Sequence, residues 1–238
     1  HNLIANENDK TQVLEVGRKI DETNCLNFSR SSIKNVNIPY GINKISTDSF
    51  YYCLSLTYVS IPESVIRIEK DAFSFCDKLI VFIPKSVIYI GAYAFDCKNV
   101  LCETKNKQNN WNDSWCSFEP IFGVIKNGLF NDFIYAVKDT DIESAIICGY
   151  IGTNSNVIIP SEIDNFKVKT ISRGAFSSGI NNINISIPNS ITTIEDYAFS
   201  NSYLKNIIIP KSVVNLGNSI FCSSIKQIFC CCETEPNG

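Results

Sequence analysis

The recurring Ile-Pro pair constrains the fold of this chain more than any other feature. In IPESVIRIEKDAFSFCDKLIVFIPKSVIYIGAYAF, residues 61–95, one unit occurs twice. Counting from proline, a β-branched residue falls three places on (Val65, Val87) and isoleucine six on (Ile68, Ile90). Alanine follows at ten (Ala72, Ala94) and phenylalanine at eleven (Phe73, Phe95). Pro62 and Pro84 stand 22 residues apart. Fixed apolar positions at such a period describe a coil that cannot bury its apolar side alone and must stack on its neighbours. The frame recurs from Pro39 (Ile42, Ile45, Ser49, Phe50), Pro188 (Ile191, Ile194, Ala198, Phe199) and Pro210 (Val213, Leu216, Ile220, Phe221). Pro160 opens a sixth copy at Ile163, where five extra residues precede Ile171, Ala175 and Phe176. Phe28 lies eleven residues before Pro39, as Phe73 does before Pro84, which places a degenerate coil ahead of the first clear one.

Within a coil, the stretch before proline reads L-x-x-V-x-I-P, as in Leu56-Val59-Ile61 and, one residue shorter, Leu79-Val81-Ile83. Alternation with period two predicts a strand with one buried face, and proline ends it because it has no N–H for a ladder. The pair Val65 and Ile68 predicts a second extended segment on the opposite side. The Ala-Phe step is expected to form a tight 3₁₀ or helical turn whose ring plugs the coil. The intervening strand residues face outward: Asn35 and Asn37, Tyr58 and Ser60, Ile80 and Phe82, Asn184 and Ser186, Asn206 and Ile208. Stacked across coils they make one surface, with Tyr58, Ile80 and Phe82 as an apolar patch flanked by asparagine and serine. Such a patch suits a protein or glycan partner. A wide sheet also carries some exposed apolar residues without purpose.

Four segments follow. Residues 1–27 are an N-terminal cap or leader, polar apart from Val13, Leu14, Val16 and Ile20. The alternatives are a lid on the open end of the stack and a disordered leader. Residues 28–120 hold the first array, ending in ETKNKQNNWNDSWCSFEP, with the only two tryptophans, Trp111 and Trp115. They either close the end of the array or form a stacking platform for a sugar or base, closure being favoured. Residues 121–158 form a β-hairpin joint, with FIYAV (133–137) and AIICGY (145–150) as its arms. Residues 159–238 hold the second array. Its tail matches Cys232-Glu233-Thr234 to Cys102-Glu103-Thr104, which predicts that the natural chain continues past Gly238 into another W-x-x-x-W segment. The opening HNLIANENDK lacks an initiator methionine and reads as processed, so a missing leader says nothing against export.

The chemistry available is narrow. With 21 Lys and Arg against 24 Asp and Glu, unclustered, no nucleic-acid surface is expected. No apolar run approaches the roughly 18 residues that span a bilayer. The single histidine, His1, reads as a tag remnant, which leaves serine and cysteine without a base. Glu233 and Glu235 lie in a polar tail with nothing apolar to raise a pKa, against glycosidase chemistry. Cys53, Cys76 and Cys97 recur once per coil after the Ala-Phe step, and a reduced buried ladder, a disulfide and a metal site are all open. Cys230, Cys231 and Cys232 are adjacent along one strand, so at most two share a face, and Cys222 lies nearby. Eleven cysteines leave at least one free or paired between chains.

The unit I-P-x-S-V-x-x-I-x-x-x-A-F-x-x-C-x-x-L resembles the BspA-like, or Treponema-type, leucine-rich repeats, over roughly residues 28–238. The resemblance implies a β-rich solenoid of the α/β horseshoe type, curved and right-handed, with a parallel concave sheet and short 3₁₀ or helical turns. It further implies an exported or cell-surface protein of a host-associated microbe, used in adhesion or ligand binding. The second array departs from the pattern, with Ser178, Asn201 and Ser223 near the usual cysteine place. The reading is a non-catalytic surface or secreted module without cofactor or metal, presenting its concave rows to a host or neighbouring-cell protein or glycan. The alternative is a structural spacer with no ligand of its own.

Overall fold

A computed structural model describes residues 13–15, 33–97, 99–176, 184–200, 204, 206–221, 225 and 227–231. The rest of segment 1–27, Phe28, Ser178, Asn201, Cys222, Ser223 and the tail from Cys232 lie outside the described residues. The chain divides into two compact units, His1–Val124 and Ile125–Gly238.

In the first unit the strands are β1 (Val13–Glu15), β2 (Asn35–Asn37), β3 (Lys44–Ile45), β4 (Tyr58–Ser60), β5 (Arg67–Ile68), β6 (Ile80–Ile83), β7 (Tyr89–Ile90), β8 (Asn99–Cys102) and β9 (Ile121–Phe122). They form two parallel sheets, ordered β1-β2-β4-β6-β8-β9 and β3-β5-β7. The wide sheet holds the strands before each proline, and the narrow one holds the pairs six residues after it. Proline closes β2, β4 and β6 and starts a tight turn, its carbonyl accepting the N–H three residues on, as in Val65 N to Pro62 O at 3.0 Å and Val87 N to Pro84 O at 3.1 Å. Register is strict: Val36, Val59, Val81 and Val100 form one column and Ile45, Ile68 and Ile90 another, all buried. Phe50, Phe73 and Phe95 stack face to face at 4.9 and 5.1 Å. The serine of I-P-x-S ties coils together: Ser64 Oγ donates to Ile42 O at 2.8 Å and Ser86 Oγ to Val65 O at 2.9 Å.

The second unit adds β10 (Val124–Phe130, starting at the last residue of the first unit), β11 (Phe133–Lys138), β12 (Asp141–Tyr150), β13 (Asn156–Ile158), β14 (Glu162–Ile163), β15 (Phe166–Ile171), β16 (Asn184–Ser186), β17 (Thr193–Ile194), β18 (Asn206–Ile209), β19 (Asn215–Leu216) and β20 (Gln227–Cys230). One sheet is β13-β16-β18-β20, and the other is β10-β11-β12-β15-β17-β19, with β14 on β15. The hairpin foreseen between 133 and 150 exists as β11 and β12, antiparallel from Phe133↔Tyr150 to Lys138↔Asp141. β12 then pairs parallel with β15, and Phe133 and Tyr150 approach Phe176 at 6.5 and 6.1 Å, starting a second ring column through Phe199 and Phe221. The five extra residues of the Pro160 coil become a hairpin between β14 and β15. Its turn residues Asp164 and Asn165 both have positive φ, 47° and 70°, as a two-residue type I′ turn requires.

The helical turn expected at the Ala-Phe step is absent, as is any helix among the described residues. Two causes act together. The residue nine places after proline is left-handed in five coils: Asp48, Asp71, Tyr93, Tyr197 and Ser219, with φ between 48° and 57°. Gly174, at 64°, takes that place in the coil with the insertion. Single left-handed residues break a right-handed helix. The phenylalanine N–H is also spent on the next coil, Phe50 to Ala72 O, Phe73 to Ala94 O and Phe199 to Ile220 O, each 2.8 Å. The α/β horseshoe expectation therefore gives way to a β-solenoid of stacked parallel strands and non-helical turns.

Candidate functional site

The outward positions of the wide sheets come together as the alternation required, because parallel strands in register stack equivalent residues. In the first unit one row is Asn35, Tyr58, Ile80 and Asn99, and the next is Asn37, Ser60, Phe82 and Leu101. These rows are not equally open. Asn37 is exposed, while Asn35, Tyr58, Ser60 and Phe82 are half-buried. Ile80 is only 6 % exposed, and Asn99 and Leu101 beside it are buried as well. The expected Tyr58–Ile80–Phe82 patch is thus corrected: its central residue is covered, and only its neighbours offer part of a surface. Burial raises the Tyr58 phenol above its ordinary value, and a hydrogen bond with the Ser60 side chain partly offsets this. Thr57 Oγ1 donates to Lys34 O at 2.9 Å and lies 3.2 Å from Asn35 Oδ1, fixing the polar end of the row.

The second unit presents the open face. Asn156, Asn184, Asn206 and Gln227 make a ladder of amides, with Asn184 Nδ2 donating to Asn156 Oδ1 at 2.9 Å. Ile158, Ser186, Ile208 and Phe229 run alongside it, and every member of both rows is exposed. Ile208 is 57 % exposed. Asn184, Ser186, Asn206 and Ile208 were read from the sequence. Ile158 and Asn156 were missed, although they stand two and four residues before Pro160, as Phe82 and Ile80 stand before Pro84. Phe229 had no such signal, since cysteine and not proline stands two residues after it.

The tryptophans are not a platform. Trp111 and Trp115 are buried with rings 4.9 Å apart, Trp115 sits edge-on to Phe95 at 6.0 Å, and the Trp111 indole donates to Val87 O at 3.2 Å. None of the eight described cysteines is in a disulfide. Cys76 hydrogen-bonds Phe50 O at 3.1 Å, and its neighbour Cys53 together with burial holds its thiol far above the ordinary value. Burial does the same to Cys97 and Cys102, and pushes Cys116 up to about 11. Such thiols are poor nucleophiles because the thiolate is the reactive form. Among the described residues no helix is long and apolar enough to cross a membrane.

A family model described as the BspA type leucine rich repeat region matches residues 21–115 and 140–235, in six copies. No curated protein matches the chain. Among solved structures, a leucine-rich repeat protein from Eubacterium ventriosum is 21% identical over 85% of this chain and 61% of its own, with a TM-score of 0.41. One from Bacteroides ovatus is 24% identical over 83% of this chain and 49% of its own, at 0.33. The pneumococcal vaccine antigen PcpA is 18% identical over 92% of this chain and 66% of its own, at 0.37. The chain thus spans about half to two thirds of the length of these proteins.

Proposed function

The chain belongs to the BspA-type leucine-rich repeat family, and on that premise we propose that it is a non-catalytic module of a cell-surface or secreted protein that binds a protein or glycan. The observation that carries this reading is the exposed double row of the second unit. A ladder of amides lies beside an apolar row that includes Ile158, Ile208 and Phe229, all in strict register. Amides give directional hydrogen bonds and the apolar row gives contact area, the mixture found at binding surfaces. The raised thiols, and the lack of any histidine among the described residues, fit a non-catalytic role. A second reading, a spacer within a larger surface protein, is favoured by the burial of Ile80 and Leu101, which leaves the first unit little free face.

The test is to screen the labelled chain against a glycan array and a panel of purified host-surface proteins. A binder should lose at least about tenfold in affinity, or 1.4 kcal/mol, on combining Ile208→Asp with Phe229→Asp. Tyr58→Ser with Phe82→Ser should matter less, since those residues are half-buried. Unchanged affinity in the Ile208 and Phe229 double variant removes the face from consideration, and an empty screen favours the spacer.

A further inference from the structure

The two units fill the outward position four residues before proline differently. In the first unit it holds Asn35, Tyr58 and Ile80, so the strand accepts a carboxamide, a phenol or a branched alkyl chain there. In the second it holds Asn156, Asn184 and Asn206, an amide on three successive strands. Packing does not require this repetition. All three side chains are exposed, whereas Val157, Ile185 and Ile207, the next residue on each strand, are buried. The exposure belongs to the face of the sheet and not to its edge, because β16 lies between β13 and β18.

Neighbouring strands lie about 4.7–4.9 Å apart, so the amides recur at that step along the stacking direction. Asn184 Nδ2 donates to Asn156 Oδ1 at 2.9 Å, which aligns the two carboxamides. A carboxamide has two N–H donors and an oxygen with two lone pairs, more than one such bond uses. Two residues further along the strands, about 6.5 Å away, Ile158, Ser186 and Ile208 add two aliphatic chains and a hydroxyl. None of the six side chains carries a charge. None is Tyr, Trp or Arg, the residues that anchor protein interfaces, and Ser186 interrupts the apolar row.

Resting on the reading of this face as the binding surface, we infer that its ligand is a linear, uncharged polysaccharide lying across the strands, along the stacking direction. A sugar hydroxyl both donates and accepts, so neighbouring hydroxyls take up an amide N–H and an amide oxygen. The C–H faces of the sugars lie on Ile158 and Ile208. A ligand with a repeating unit engages successive amides at once, each contact after the first being intramolecular. A peptide that augments a sheet instead runs parallel to the strands at an edge, which leaves this row untouched. Sulfated or carboxylated chains find no cation among the six residues, and salt has little there to screen.

The experiment titrates the full chain with linear glucan, mannan and xylan oligomers, from monosaccharide to hexasaccharide. Heparin and hyaluronan serve as charged comparators, and the panel of purified host-surface proteins is run alongside. At least one neutral series should bind, its affinity rising at least about tenfold from disaccharide to hexasaccharide and changing less than about twofold between low and high salt. Asn184→Leu and Asn206→Leu should each weaken binding at least about tenfold without lowering the melting temperature, since both side chains are exposed. Asn206→Gln, which keeps the amide, should lose less. No binding by any neutral series, binding by heparin or hyaluronan alone, or binding untouched by both leucine variants overturns the inference. A protein of the panel whose binding falls in the same variants, with no glycan bound, leaves the face a binding surface and overturns only its assignment to a polysaccharide.

Discussion

Phe73 lies between Phe50 and Phe95 with both rings nearly parallel to its own, so removing it empties a rung that no neighbour can reach to fill. Phe73→Ala should cost about 3–5 kcal/mol in urea unfolding, while Phe221→Ala, on a half-buried ring, should cost clearly less. The left-handed residue nine places after proline makes a second prediction. Gly174→Val should destabilise by at least about 1–2 kcal/mol, because a β-branched side chain pays the full penalty there, and Gly174→Asn should be milder. Circular dichroism melts of the two variants test the ranking. The phenylalanines were legible because a buried column imposes one residue type at one spacing, and the prolines because each stops a strand at the same place in its coil. The left-handed position was not, since Asp, Tyr, Ser and Gly share no signal there. What sets its conformation is the N–H it sends to the next coil, as from Asp71 to Ala92 O at 3.1 Å, a partner more than twenty residues away.

Among the elements, the tryptophan segment acts as a lid on the first stack. Trp111→Ala should cost about 3–5 kcal/mol and uncover Ile90, to which Trp111 bridges in parallel. Both tryptophans belong to the first unit, so their emission reports on that unit alone: it should be blue-shifted in the native protein and move red as the first unit unfolds. A far-ultraviolet transition at a different urea concentration would assign the remainder to the second unit. The paired strands were legible from alternation, because one face must be apolar whatever covers the other. Alternation could not reveal that Ile80 and Leu101 are covered while Ile158 and Ile208 are bare, since the outward positions follow the same pattern in both units. The matching of Cys232 to Cys102 was off by two residues, since Cys230 pairs with Ile209 as Cys102 does with Ile83. The run from Pro84 to Cys102 is two residues shorter than that from Pro210 to Cys230, so matching letters did not mean matching places.

For the whole molecule, the buried thiols set a pH response. Cys97 and Cys102 in the fold hold their protons above the pH at which an unfolded thiol, near 8.5, begins to lose them. The unfolded chain then binds fewer protons than the native one, so stability is full below about pH 8.5 and falls as pH rises, by up to about 1.4 kcal/mol per unit for each such thiol. Cys116 adds its share until about pH 11. Urea midpoints under reducing conditions should decline between pH 8.5 and 10.5, and Cys97→Ala should flatten the decline if the small cavity is tolerated. The insertion after Ile163 carries a different lesson. Five additional residues leave Ile171, Ala175 and Phe176 in line with Ile194, Ala198 and Phe199, because the surplus doubles back on itself as β14 and β15. Growth of this kind happens sideways. A lineage can therefore lengthen one loop, and hang new chemistry on it, without re-solving how the layers above and below fit together.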